Sequence, residues 1–270
     1  MTGLKVLILG GGDVGSAVAH VLFRRGLQVL ICERPRSPHA RRGMAFTDAL
    51  FDGSATLEGV QACCLPDMAS VAACWDAARE IPIVVLDETL LTAASRFDVL
   101  IDATMRRHRE PEDRRAMADC VIGLGPGYTP GQNCHVAIES QWGPNMGQVL
   151  RDRAAAPRSG GPYALAGVTR ERFAIAPCAG TFRTTAALGQ AVHAGEIVGQ
   201  LGAHAISAPI AGHLRGLSRD GVEVLSGQRL LEVDPRTEPQ ITGLGERPLA
   251  IANGVAAALE SVFGNQPGVR

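Results

Sequence analysis

The chain opens on a short apolar run, "LKVLILG", that stays apolar from Val6 to Leu9, the pattern of a strand covered on both faces in a parallel sheet. Val14, Val18, Val21 and Leu22 then fall on one face of a helix that runs to about Arg25 and stops at Gly26. "LQVLICE" returns to a continuous apolar run, so the chain start reads strand, helix, strand. The alternation continues. "VQACCL" predicts a strand, and "DMASVAACWDAARE" predicts a helix whose Val71, Ala72, Trp75 and Ala78 recur at three and four. Trp75 lies in that stripe and reads as core, not as a stacking platform. "IPIVVLD" and "FDVLIDAT" are further strands around a short helix near Leu90 and Leu91, and "DCVIGLG" and "NCHVAIES" close the sheet. This order predicts an open α/β fold, a Rossmann-like parallel sheet over residues 1–155 with a crevice at the carboxyl ends of its strands.

Between 152 and 167, in "DRAAAPRSGGPYALAG", small residues and prolines mark a connection. An internal repeat follows. "APCAGTFR" at Ala176 returns as "APIAGHLR" at Ala208, and "VHAGEIVG" at Val192 as "VLSGQRLL" at Val224, each 32 residues on. Two such halves, each too small to bury a face alone, predict one paired β domain over 168–240, followed by a C-terminal helix and tail over 241–270. The repeat resembles the biotinyl/lipoyl-type barrel-sandwich hybrid, whose carriers hold a modified lysine on the hairpin between the halves. Here that hairpin is "GQLGAHAIS", and the only lysine of the chain is Lys5. Covalent biotin or lipoate is excluded for want of an amine, which leaves a structural module or a binding surface.

With 46% hydrophobic and 20% charged residues and a net charge of -1, nothing asks for nucleic acid or a membrane surface. Seven cysteines form no C-x-x-C pair, and the histidines show no H-x-x-x-H spacing, so neither zinc nor a disulfide framework is indicated. The first apolar run breaks at three glycines and reads as a strand, not a signal peptide; a reducing cytoplasm fits this usage.

Gly10, Gly12 and Gly15 form G-x-G-x-x-G between strand and helix, with Asp13 and Val14 inside the turn. The first glycine permits the turn, the second lets backbone amides meet a pyrophosphate, and the third lets helix pack on strand. Glu33 ends the second strand, where a carboxylate binds ribose hydroxyls. Arg34, with Arg36, Arg41 and Arg42, forms either a phosphate-binding group or a solvated basic loop. "GLGPGYTPGQNCH" presents Gly123, Gly125 and Gly127 as the centre of an anion nest, with Tyr128 and Asn133 as ligand contacts. His135 beside them reads as a satisfied core histidine. Asp102 and Arg106 follow a strand end and are candidates for polar contacts, whereas Arg107, His108 and Arg109 read as a solvated run. No nucleophile–base pair, G-x-S-x-G elbow or partner for Asp87 or Glu139 is evident. The crevice therefore holds a nucleotide or an NAD(P)-type dinucleotide, or else something different or nothing, as a ligand-free scaffold.

In order, "GGGDVGSAVAHVLFRRG", "RRGMAFTDALFDGSATLEGV", "DVLIDATM", "IGLGPGYTPGQNCHVAIES", "GPNMGQVL" and the tail "APIAGHLRGL…GVEVLSGQRLLEVDPR" resemble the YqeB-type accessory family of selenium-dependent molybdenum hydroxylases. The resemblance runs from residue 6 to about 260, and "DATM" and Cys178 depart from the family's commoner residues. It implies an accessory or maturation factor for a xanthine-dehydrogenase-like molybdenum hydroxylase that binds a nucleotide or molybdopterin-type cofactor and handles selenium or sulfur for it. The implied partners are the hydroxylase or its maturation machinery, a small phosphorylated ligand, and a further copy of the chain in a homo-oligomer. The alternative is an NAD(P)-dependent oxidoreductase, which needs a proton donor or base near the nicotinamide; no Tyr/Lys or His/Asp arrangement supplies one.

Overall fold

Residues Lys5–Leu9 (β1), Asp13–Arg24 (α1) and Gln28–Cys32 (β2) form the strand, helix and strand read from the apolar pattern, with β2 parallel to β1. The structure, a computed structural model, describes residues 3–35, 37–85, 96–105, 110–158 and 162–264. The helix expected near Leu90 and Leu91 lies outside the described residues. Successive strand residues face opposite ways. Val6 and Ile8 therefore join Val14, Val18 and Leu22 of α1 in one core layer, while Leu7 and Leu9 join Val71 and Trp75 of the helix Met68–Ala77 (α3, after the one-turn α2 at Ala49–Asp52) in the other. Trp75 is core, its Nε1 donating to Val29 O at 2.8 Å. Ala72 and Ala78 of the same expected stripe are exposed.

The remaining strands of this sheet are Ser54–Leu57 (β3), Val60–Leu65 (β4), Glu80–Val84 (β5), Phe97–Asp102 (β6), Ala118–Leu124 (β7), Val136–Ile138 (β8) and Val149–Leu150 (β9). Among the described residues the order is β3-β4-β5-β2-β1-β6-β7-β8-β9. The smaller unit holds Phe173–Ile175 (β10), Gly180–Arg183 (β11), Ala191–Val192 (β12), Ile197–Leu201 (β13), His204–Ser207 (β14), Gly212–Leu217 (β15), Val222–Val224 (β16) and Arg229–Asp234 (β17).

The expected fold, a Rossmann-like parallel sheet followed by a barrel-sandwich hybrid, is corrected by this topology. The nine-stranded sheet is mixed, with antiparallel pairs β3–β4 and β8–β9 at its two margins. The later strands form two separate antiparallel sheets of four, β10-β17-β15-β12 and β14-β13-β11-β16. Apolar periodicity reports which face a residue covers, not which way its strand runs, so the direction at the margins was not legible. The β3–β4 hairpin turns on Glu58 and Gly59, with φ of 44° and 77°, the paired left-handed conformation of a two-residue loop.

The 32-residue repeat is present in three dimensions. Each four-stranded sheet takes two strands from β10–β13 and two from β14–β17, so neither half has a sheet of its own. Gly195 and Gly227, one repeat apart, have φ of 83° and 82°. The carboxy-terminal segment is not a separate piece. Helix Glu246–Phe263 (α4) returns to the large sheet, placing Ile251, Ala252, Val255 and Leu259 in the core that contains α1. Gly254 makes this possible, since a Cβ there would stand 2.1 Å from Gly147 O.

Candidate functional site

Gly10 leaves β1 with φ of 94°, its N–H donating to Cys32 O, and a Cβ on it would meet Ala103 O at 3.0 Å. A Cβ on Gly15 would lie 1.9 Å from Gly10 O, so helix and strand touch only because that position is bare. Gly12 caps α1 with no side-chain hydrogen bond, and the His39 ring stands 3.3 Å from where its Cβ would be. Val14 is buried in the core, while its N–H donates to Asp13 Oδ1 at 3.0 Å. Asp13 Oδ2 accepts from Arg41 at 2.9 Å. Burial pushes the Asp13 carboxyl up, but the Arg41 charge outweighs it and holds the group well below the ordinary carboxylate range.

The acid that ends β2 has partners within the turn itself. Glu33 Oε2 accepts the Gly11 N–H and Oε1 the Arg34 N–H, both at 2.7 Å. Arg34 is largely exposed and lines a cleft of about 400 Å³ with Pro35, Pro38, Glu223, Leu225 and Gln228. Arg36 and Arg106 lie outside the described residues, as do Asp87 and the run 107–109. Arg41 and Arg42 are engaged by carboxylates rather than solvated. Arg41 bridges Asp13 to Glu232, and Arg42 pairs with Asp48 at 2.9 Å.

At the next strand ends, Asp102 is buried, accepting from Thr104 N–H at 3.0 Å and from Arg114 at 2.6 Å. The "GLGPGYTPGQN" loop closes largely on itself. A Cβ on Gly123 would fall 2.0 Å from the Tyr128 ring, which is buried beneath it, and one on Gly127 would fall 2.8 Å from Pro111. Asn133 Oδ1 accepts the Thr129 N–H and its Nδ2 donates to Gly127 O, both at 2.9 Å. Gly123, Tyr128 and Asn133 thus hold the loop in shape. His135 is exposed, not core, and its Nδ1 accepts the Val121 N–H at 2.9 Å. Gly125, with φ of 86°, admits Ser140 Oγ to 2.2 Å of its missing Cβ, bringing the loop against the end of β8.

Glu139, whose partners were not evident in the sequence, and Arg247, which the pattern did not single out, gather there. Buried Glu139 accepts three backbone N–H groups, from Ser140 at 2.7 Å and from Gln141 and Ala156 at 2.8 Å. Its carboxylate pins the loop after β8 to the segment leading to the smaller unit. Arg247, in the first turn of α4, donates from Nε to Ser140 O at 2.6 Å and makes no ion pair among the described residues. Burial pushes its guanidinium below the ordinary arginine value, offset first by Asp13, with Arg41 and Arg158 adding to the lowering. Half-buried at a helix N-terminus with no side-chain cap, it feels the charges of Asp13 and Glu139 but makes no direct ion pair among the described residues. The signal available in sequence was only an arginine after Gly245-Glu246 at a helix start.

Behind Arg41 lies a charge network that joins the two units. Glu232 is fully buried and takes Arg41 at 2.7 Å and Arg172 and Arg215 at 3.1 Å each. Leu217 N–H donates to Ala40 O at 2.8 Å, and Arg219 pairs with Asp52. Segment 38–52 is thereby held between the α1 start and the smaller unit. Among the described residues no group of three or more His, Cys, Asp or Glu is arranged to hold a metal, and no helix is long and apolar enough to cross a membrane.

Fold and site together define a two-part protein, a mixed α/β sheet joined to an interlocked β unit, with glycine turns at strand ends and, after β8, an arginine that makes no ion pair among the described residues. The chain belongs to the YqeB family. It is 34% identical over 255 residues, 94% of its length, to the uncharacterized protein YqeB of Escherichia coli K12. It spans about half, 47%, of that relative. No protein-family profile matches it. Among solved structures it is similar to the product-bound ectoine utilization protein EutE (DoeB) from Ruegeria pomeroyi, at 12% identity over 87% of this chain and 86% of that one, with a TM-score of 0.28. An aspartoacylase family protein from Mesorhizobium loti matches at 12% identity over 88% of each chain, also with a TM-score of 0.28.

Proposed function

We propose that the chain is an accessory or maturation factor for a molybdenum hydroxylase of the xanthine-dehydrogenase kind, and that it holds a nucleotide or molybdopterin-type cofactor by its phosphates. The observation that carries this reading is Arg247. A half-buried guanidinium that makes no ion pair among the described residues, at the uncapped N-terminus of α4, is the arrangement an anionic group completes. The hydroxylase or its maturation machinery is the proposed partner, and selenium or sulfur handling for the cofactor is the proposed role. Hydride transfer draws no comparable support, since Glu33, Asp102 and Glu139 are each held by internal hydrogen bonds.

The test is extraction and mass spectrometry of small molecules that co-purify with the protein, joined to hydroxylase assays in cells lacking its gene. A phosphorylated cofactor and lost hydroxylase activity are expected. Protein that binds no phosphorylated ligand, with hydroxylase activity intact in the deletion, overturns the reading.

A further inference from the structure

Two aromatic rings stack on each other, one of them two residues from the carbonyl that holds Arg247. Trp142 and Tyr163 are stacked, with ring centroids 4.0 Å apart and planes 18° from parallel. Tyr163 is 51% exposed, a large value for a ring already engaged on one face. Trp142 is two residues past Ser140, whose carbonyl accepts from Arg247 Nε, so at most about 7 Å of backbone separates that carbonyl's residue from the Trp142 Cα. Buried Glu139 holds the backbone that leads into Trp142. Its Oε1 takes the N–H groups of Ser140 and Gln141, and its Oε2 takes that of Ala156 on the segment leading to Tyr163. A buried carboxylate that holds two loops together is a costly way to shape a plain surface turn.

We propose that the Trp142–Tyr163 stack is a platform for the planar heterocycle of a phosphorylated ligand whose phosphate is bound by Arg247. The inference rests on the phosphate-binding reading above and adds the ligand class: a flat, nitrogen-containing ring within one nucleotide's length of a phosphate. A π-face accepts any such ring, and a base stacked on an aromatic side chain gains binding without a specific hydrogen-bond code. Arg247 meets the phosphate with the two terminal nitrogens that its Nε bond to Ser140 leaves over.

Guanosine monophosphate, guanosine and inorganic pyrophosphate are the probes, each titrated into the full chain by calorimetry and by tryptophan fluorescence corrected for absorbance. The second tryptophan, Trp75, is buried in the core and reports little. The expected result is quenching of Trp142 by the nucleotide, binding weakened at least about tenfold in W142L but retained in W142F, and nucleotide binding weakened about tenfold in R247Q with guanosine unaffected. Equal nucleotide affinity in wild type and W142L, with R247Q still weakened, overturns the platform and leaves the phosphate reading standing. If neither pyrophosphate nor the nucleotide binds, both fail.

Discussion

Replacing Glu232 by Gln keeps the side chain's size and removes the one charge that three guanidinium groups share. Glu232 has no exposed side-chain surface, and Arg172, bound to it, is 2% exposed. Burial alone pushes its carboxyl up, but the charges and hydrogen bonds of Arg41, with Arg215 and Arg229 behind, hold it at about 2. Against the ordinary value of 4.5, that gap corresponds to about 3 kcal/mol favouring the folded ionised state. The lower end of the range for breaking a buried ion pair, about 3 to 5 kcal/mol, agrees. The sign follows from the depressed folded value. The contribution is complete above about pH 4.5 and disappears as pH falls towards about 2. Urea unfolding at pH 7, followed by circular dichroism, is therefore expected to show E232Q about 3 kcal/mol less stable than wild type. Between pH 4.5 and 2 the two proteins should converge. A double-mutant cycle with R41Q should give a coupling of about 1 to 3 kcal/mol, tempered because Arg41 keeps Asp13. A loss below about 1 kcal/mol, or identical acid limbs, refutes the claim that this carboxylate locks the two units.

Gly15→Ala places a methyl group 1.9 Å from Gly10 O, and a loss of about 3 kcal/mol or failure to fold is expected in thermal melts; a near-wild-type midpoint would show that turn and helix can separate cheaply. Burial pushes the His39 imidazole below its ordinary 6.5, against the opposing pull of Asp13. The unfolded chain therefore takes up the proton first, and stability is lost as pH falls through about 6.5; H39Q should flatten the melting temperature between pH 7 and pH 5, and an unchanged slope counts against it. Gly195→Ala and Gly227→Ala each put a side chain on a left-handed residue with open space around it, so both should cost about 1 kcal/mol in urea unfolding; clearly unequal costs would deny that the repeat halves are equivalent.

Much of the larger sheet was legible because its strands are buried on both faces and so read as unbroken apolar runs, as in Val6–Leu9 and Val29–Cys32. The small strands were legible only through the repeat, since Ala191–Val192 or Phe173–Ile175 is too short to show a period. The margins of the large sheet escaped. Val149–Leu150 is two residues long, and its antiparallel pairing with β8 depends on the loop that Gly147 and Gly254 press onto α4. The glycines of the first turn were correctly placed between strand and helix, but the partners of Glu33 and Asp13 were not foreseen, because each pairs with backbone or with an arginine from another segment.

The sequence by itself determined where the chain turns, which residues of the long apolar strands enter the cores, that two halves repeat every 32 residues, and family membership through the ordered glycine-rich stretches. Only the tertiary structure decided which charges meet. Arg41 reaches Glu232 across 191 positions, and Arg247 reaches Ser140 across 107. Local pattern is written by burial and backbone geometry, which act over a few residues. Pairing of buried charges is settled by the packing of elements distant in the chain, where an unpaired ion costs several kcal/mol and a carbonyl or carboxylate a few ångströms away decides its state.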